Sequence, residues 1–94
     1  MSLQKLYREA VKMNDELFEF MGTRSALGWA HTDEHRAELM KQMSKLVNKH
    51  GAGVNELEEK LREKVEVSIK NLATELRCSE SMALYRARVE LNVD

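Results

Sequence analysis

The sequence predicts an all-α fold, a small bundle of three to four helices, mostly antiparallel and completed by self-association. Three observations carry this reading. The 94 residues contain no proline, the residue that breaks helix interiors and punctuates loops. Hydrophobic residues make up 43% and charged residues 33%, a balance that suits helices with one dry face and one wet face. Apolar residues recur at alternating spacings of three and four along most of the chain. The length fits one helical domain over residues 1–94 rather than two.

The first helix is expected over residues 2–21. Leu3, Leu6, Ala10, Met13, Leu17 and Phe20 form a continuous seam, widened by Tyr7, Phe18 and Met21. Ser2 stands where an N-cap belongs, and Gly22 where a left-handed turn would end the helix. Residues 22–33 then read as the main irregular stretch, with two of the four glycines and the single tryptophan, Trp29. Leaving an indole in water forfeits about 200 Å² of burial. Trp29 is therefore expected to be mostly buried, against the first two helices or in a self-association interface.

The second helix is expected over 33–50, capped by Thr32, with Asp33 and Glu34 in its first turn and Lys49 and His50 in its last. Ala37, Met40, Met43 and Val47 make its predicted core stripe, broadened by Leu39 and Leu46. Gly51-Ala52-Gly53 stops it. The third helix is expected over 55–77, with Asn55 and Glu58 as a capping-box-like pair and Leu57, Leu61, Val65, Ile69, Leu72 and Leu76 on one face. The run Val65–Ile69 alternates with period two and is rich in β-branched residues, but its flanks are strong helix formers, so helix is favoured over strand. The fourth helix is expected over 79–91, capped by Ser79, with Leu84, Ala87 and Leu91 as a narrow stripe flanked by Met82, Ala83 and Val89. Asn92–Asp94 should fray.

Unequal lengths motivate the self-association. The third helix outlasts the fourth, and the first carries a seam long enough to pair. An apolar stripe without an equal partner usually marks an interface. The expected assembly is a homo-oligomer, a dimer by preference. Its candidate interface residues are Leu3, Leu6, Ala10, Met13, Leu17, Phe20, Trp29, Leu61 and Val65.

Charge and motifs narrow the function. The net charge is −1, and neither half of the chain is strongly basic or acidic, so bulk electrostatics favour neither nucleic acid nor a membrane surface. One cysteine, Cys78, cannot form an intramolecular disulfide and suits a reducing cytoplasm. His31-Thr-Asp-Glu34-His35 matches an inverted zinc-protease pattern, but Thr32 and Asp33 look like a helix start, which sets His31 outside the helix. No glycine-rich phosphate loop and no nucleophile–base pair is present. The six methionines read as core fillers more than as an adaptable binding surface. The resulting expectation is a non-enzymatic intracellular protein–protein interaction or regulatory module with no cofactor and no metal.

A nucleic-acid alternative rests on two features. Lys41, Lys45 and Lys49 repeat every four residues and could follow a phosphate backbone. In addition, Leu72-Ala-Thr-Glu-Leu76-Arg-Cys-Ser79-Glu-Ser81-Met-Ala-Leu84-Tyr-Arg-Ala87 resembles the helix–turn–helix portion of ribbon-helix-helix DNA-binding proteins. The resemblance covers about sixteen residues. It implies a DNA-binding regulator built on residues 68–91, with Arg77, Arg86, Arg88 and the lysine row on phosphates. It also implies a DNA-reading strand near Leu57–Leu61, a segment that reads as helix, and a glycine at the turn position held here by Arg77.

Overall fold

A computed structural model describes residues 2–92, and the fold is all-α. Helix α1 runs Leu3–Leu27, α2 Asp33–His50, α3 Val54–Leu76 and α4 Ala83–Leu91, with a single 3-10 turn at Glu80–Met82. Among the described residues there is no strand, and Val65–Ile69 is helical. The chain divides into two compact units. One holds α1 up to Asp15, α3 from Glu63 onward, the 3-10 turn and α4; the other holds residues Glu16–Arg62.

In the Glu16–Arg62 unit, α1 does not stop at Gly22. Phe20 and Thr23 are buried on either side of the glycine, and Arg24 lies 5.2 Å from the centre of the Phe20 ring. The Arg24 guanidinium also donates twice to the Glu58 carboxylate of α3, at 2.9 and 3.3 Å. These contacts require helical backbone through residue 22. They outweigh the roughly 1 kcal/mol that glycine costs in a helix interior. The irregular stretch expected over 22–33 therefore shrinks to Gly28–Thr32. Its backbone is pinned by hydrogen bonds from Trp29 N–H to the Ala26 carbonyl (3.0 Å) and from Gly28 N–H to the Ser25 carbonyl (3.1 Å).

Helix α2 begins and ends where the sequence places it. Thr32 is extended, and its hydroxyl accepts the His35 N–H at 3.0 Å. Gly51 closes the helix at φ 62°, donating to the Val47 carbonyl. The buried face is rotated from the expected one. Leu39, Met43, Leu46 and His50 are buried, while Ala37 is exposed and Met40 is 51% exposed. The opposing core comes from Leu17 and Phe20 of α1 and Leu57 and Leu61 of α3, the last three fully buried. Helix α3 starts one residue earlier than expected. The Gly53 carbonyl accepts the Glu56 and Leu57 N–H groups, so Asn55 lies in the first turn and does not cap.

In the other unit, the Ser2 hydroxyl caps α1 by accepting the Lys5 N–H at 3.2 Å. Leu6, Ala10, Leu72, Ala73, Ala83 and Ala87 form a buried cluster, with Leu3, Tyr7, Ile69, Leu76, Cys78 and Leu84 packed around it. Four of its six buried members are alanine, which lets helix backbones approach closely. Helix α3 ends in a Schellman turn. The Cys78 N–H donates to the Ala73 carbonyl (3.1 Å) and the Arg77 N–H to the Thr74 carbonyl (3.3 Å), with Arg77 left-handed at φ 55°. The glycine-like conformation is present without the glycine.

The expected helix 79–91 begins instead with the 3-10 turn. Ser79 is extended but makes no capping bond; its hydroxyl lies 3.2 Å from that of Ser81. Asn92, the first residue of the tail expected to fray, takes a capping conformation. It is a left-handed cap whose N–H reaches the Arg88 and Val89 carbonyls. Val93 and Asp94, the rest of the tail expected to fray, lie outside the described residues.

Gly22 offers a direct test. It is exposed, and a Cβ built on it meets nothing within 4 Å. Gly22→Ala should stabilise the protein by about 1 kcal/mol through reduced unfolded-state entropy and better helix propensity. Chemical denaturation of the two proteins reads this out. An unchanged or lowered midpoint would contradict a helix that is continuous through residue 22.

Candidate functional site

Helix α4 is apolar on two opposite sides. Ala83 and Ala87, one turn apart, are fully buried in the cluster described above. Tyr85 and Val89 lie about 200° further round at 100° per residue and are 62% and 58% exposed. Met82, three residues before Tyr85, is 44% exposed. The spacing of three and then four puts Met82, Tyr85 and Val89 on one outer stripe. A helix in a globular protein usually turns charged residues to water. Here Tyr85 and Val89 face outward, while Ala83, Ala87 and the half-buried Leu84 face the cluster.

Arg86 and Arg88 sit on either side of this stripe, both exposed. Among the described residues neither forms an ion pair. Of the residues expected to contact nucleic acid, Arg77, Arg86, Arg88, Lys41 and Lys45 are exposed. Lys49 is engaged in an ion pair with Glu16 of α1. The DNA-reading strand implied near Leu57–Leu61 is absent. That segment is α-helix, and both leucines are fully buried.

The seam expected to cover a second copy is consumed by the chain's own packing. Leu6, Ala10, Met13, Leu17, Phe20 and Leu61 are buried, and Leu3 and Val65 are half-buried. Trp29 departs most from expectation. It does not fold onto the first two helices, and its residue is 76% exposed. An irregular stretch over 22–33 would be long enough to fold back. The actual connection is too short, because α1 continues to Leu27.

The Glu16–Arg62 unit also holds a buried acid. Glu16 shares a spacing of three and four with Met13, Phe20 and Thr23, so it points into the core side of α1. Its carboxylate meets the Lys49 ammonium through Oε1 and the His50 ring through Oε2, where Nε2 lies at 2.8 Å. An ionised carboxylate only accepts, so His50 Nε2 carries the proton in this pair. The His50 carbonyl in turn accepts from Lys60 Nζ of α3 at 2.7 Å. This assembly satisfies an exposed helix C-terminus and three charged groups together. Burial pushes the Glu16 carboxyl upward, but hydrogen bonding and charge from Lys49, then from His50, outweigh it and hold the group below its ordinary 4.5. On the surface, Arg24 and to a lesser degree Arg62 hold Glu58 down in the same way.

The zinc-like spacing is not assembled as a helical pair. His31 precedes α2, while Glu34 and His35 lie in its exposed first turn. Among the described residues no group of three or more His, Cys, Asp or Glu side chains is placed to hold a metal ion. Cys78 is half-buried in the Schellman turn. Among the described residues no helix is long and apolar enough to cross a membrane. Comparisons with known protein families, with curated proteins and with solved structures find no match.

Sequence reasoning missed the buried acid and saw only part of the outer stripe. The signal for the outer stripe was the pair Ala83 and Ala87 with larger apolar residues on the opposite side. The signal for the buried acid was Glu16 standing at core spacing inside an otherwise apolar seam.

The buried pair makes a pH prediction with a definite sign. A carboxyl held low in the folded state contributes stability that is fully present above its unfolded value and lost as pH falls through the folded one. Glu16→Gln should cost about 2 kcal/mol at neutral pH, the scale for breaking a buried charge-assisted bond. The gap between the variant and the parent should narrow as pH drops below 4.5. Urea titrations at several pH values check both statements. A gap that stays constant to pH 3 would mean that Glu16 does not titrate against these partners.

Proposed function

We propose that this protein is a non-enzymatic interaction module whose binding surface is the outer face of α4. One observation carries the reading. Tyr85 and Val89 of α4 face water, on a helix already seated by its alanines and Leu84. A stripe of this kind on a soluble domain marks a place where another surface packs. Tyr85 at its centre has the character of an interface anchor, a large ring with a polar tip and few rotatable bonds. The small seated face fixes α4 without drawing on the outer side chains, so the stripe is presented in one conformation before any partner arrives. Preorganisation of that kind lowers the entropy cost of association.

Self-association and nucleic-acid binding are competing ways to use exposed groups of this chain. The first keeps its motive in the unequal lengths of α3 and α4, although the α1 seam packs within the chain. The second asks for Lys49, which is already paired. Phe18 and Trp29 are further exposed aromatics, each single on its own element.

Capture experiments in the source organism test the reading. The double variant Tyr85→Asp, Val89→Asp changes only exposed positions, so its thermal midpoint should stay within a few degrees of the parent. It should lose a co-purifying protein that the parent retains. Retention of every co-purifying protein by a folded double variant would remove α4 from the interaction.

A further inference from the structure

The charges beside the stripe identify the kind of partner it fits. Written as a heptad, Tyr85 and Val89 occupy successive d and a positions of α4, and Met82, at the end of the 3-10 turn, precedes them at the a spacing. Arg86 and Arg88 then fall at e and g, the two positions that flank a helix–helix seam. Measured from Tyr85, Arg86 lies about 100° one way and Arg88 about 60° the other, so they border the stripe on both sides. Glu90 stands about 140° from Tyr85, further round toward the seated side of the helix. Both arginines are exposed, and among the described residues neither is paired with an acid. The e and g positions beside the stripe are therefore both basic, with Glu90 one turn beyond Arg86 on the e side.

That arrangement discriminates among occupants. A second copy laid antiparallel on this stripe would bring e against e and g against g, arginine against arginine at each edge. A parallel copy would bring g against e, again arginine against arginine. Like charges facing across a seam select against the pairing. A single phosphate strand fits poorly, because the arginines diverge around the helix and the apolar stripe between them would stay uncovered. An amphipathic helix with apolar residues at a and d spacing and carboxylates beside them satisfies both the stripe and its rim.

We infer that the outer face of α4 docks an acidic amphipathic helix of another protein, with Met82, Tyr85 and Val89 contacting its apolar residues and Arg86 and Arg88 its Asp or Glu side chains. This inference rests on the reading of α4 as an interaction surface and adds the chemistry of the partner. Arginine suits the role, since its planar fork meets a carboxylate with two parallel hydrogen bonds. The contact spans only about two helical turns, so the charged rim has a large share in selecting the partner.

The test uses the full chain and two synthetic helical peptides, identical at their apolar a and d positions, one carrying Glu and the other Lys at e and g. Fluorescence anisotropy at low salt should show the Glu peptide binding at least tenfold more tightly than the Lys peptide, with the difference shrinking as salt rises. The double variant Arg86→Glu, Arg88→Glu should reverse the preference, a result that loss of folding could not produce; circular dichroism checks the helix content in parallel. Equal binding of both peptides would overturn the charge selection. So would a dimer in sedimentation that dissociates on Tyr85→Asp, which would assign the face to a second copy. Displacement of the bound Glu peptide by duplex DNA would assign it to nucleic acid. Failure of either peptide to bind, while Tyr85→Asp still loses a captured protein from the source organism, would overturn the acidic-helix inference and leave the interaction reading standing.

Discussion

A single carboxylate sets the orientation of α2. Glu16 is buried on the core side of α1, and a charge in that position must be met by partners or driven neutral. Lys49 and His50 meet it from the last turn of α2. Once His50 faces inward, helical geometry turns Leu46, Met43 and Leu39 inward with it, since they precede it at spacings of four, three and four. Met40 and Ala37 are carried outward by the same rotation. Lys60 then reaches the His50 carbonyl and ties the start of α3 to the end of α2. A buried ion pair is a weak source of net stability, but it selects one arrangement among several that burial alone would permit.

The parts of the fold legible in the sequence were those controlled by local chemistry. The Thr32 cap, the Gly51 stop and the helical state of Val65–Ile69 depend on side chains a few residues apart, and each is found where the spacing puts it. The failures at Gly22, Trp29 and the face of α2 trace to contacts between elements, whereas the missed caps at Asn55 and Ser79 are local. Gly22 reads as a stop by propensity, yet the burial of Phe20 and Thr23 and the pairing of Arg24 with Glu58 carry the helix through it. The loop shortened as a result, and the expected packing of Trp29 against the first two helices failed with it. The rotation of α2 was hidden because Ala37, Met40, Met43 and Val47 form a good apolar stripe on their own. Only the distant Glu16 shows that another stripe is used.

The candidate surface was half legible. In the sequence Met82 and Val89 read as apolar residues beside a stripe of Leu84, Ala87 and Leu91, and Arg86 and Arg88 as phosphate contacts. Their joint meaning depends on which side of α4 is seated. Alanine carries little hydrophobic weight, so a pattern reading sets Ala83 beside a stripe of Leu84, Ala87 and Leu91. Packing changes that reading, because close approach between backbones rewards the smallest side chains. With the alanine side taken up, the divergence of the two arginines becomes the flanking of a stripe.

The alanine seat has a dynamic consequence. Two fully buried methyl groups and a half-buried Leu84 hold α4 to its cluster, a small apolar area compared with that anchoring α1 or α3. Local opening is governed by such contacts, and segments with few of them open at free energies well below global unfolding. Helix α4 is thus the element whose amides should exchange with solvent soonest after the chain ends. A partner covering its outer side would close the helix between two surfaces, and occupancy would be written in the hydrogen-exchange protection of residues 83–91 even where the backbone does not move.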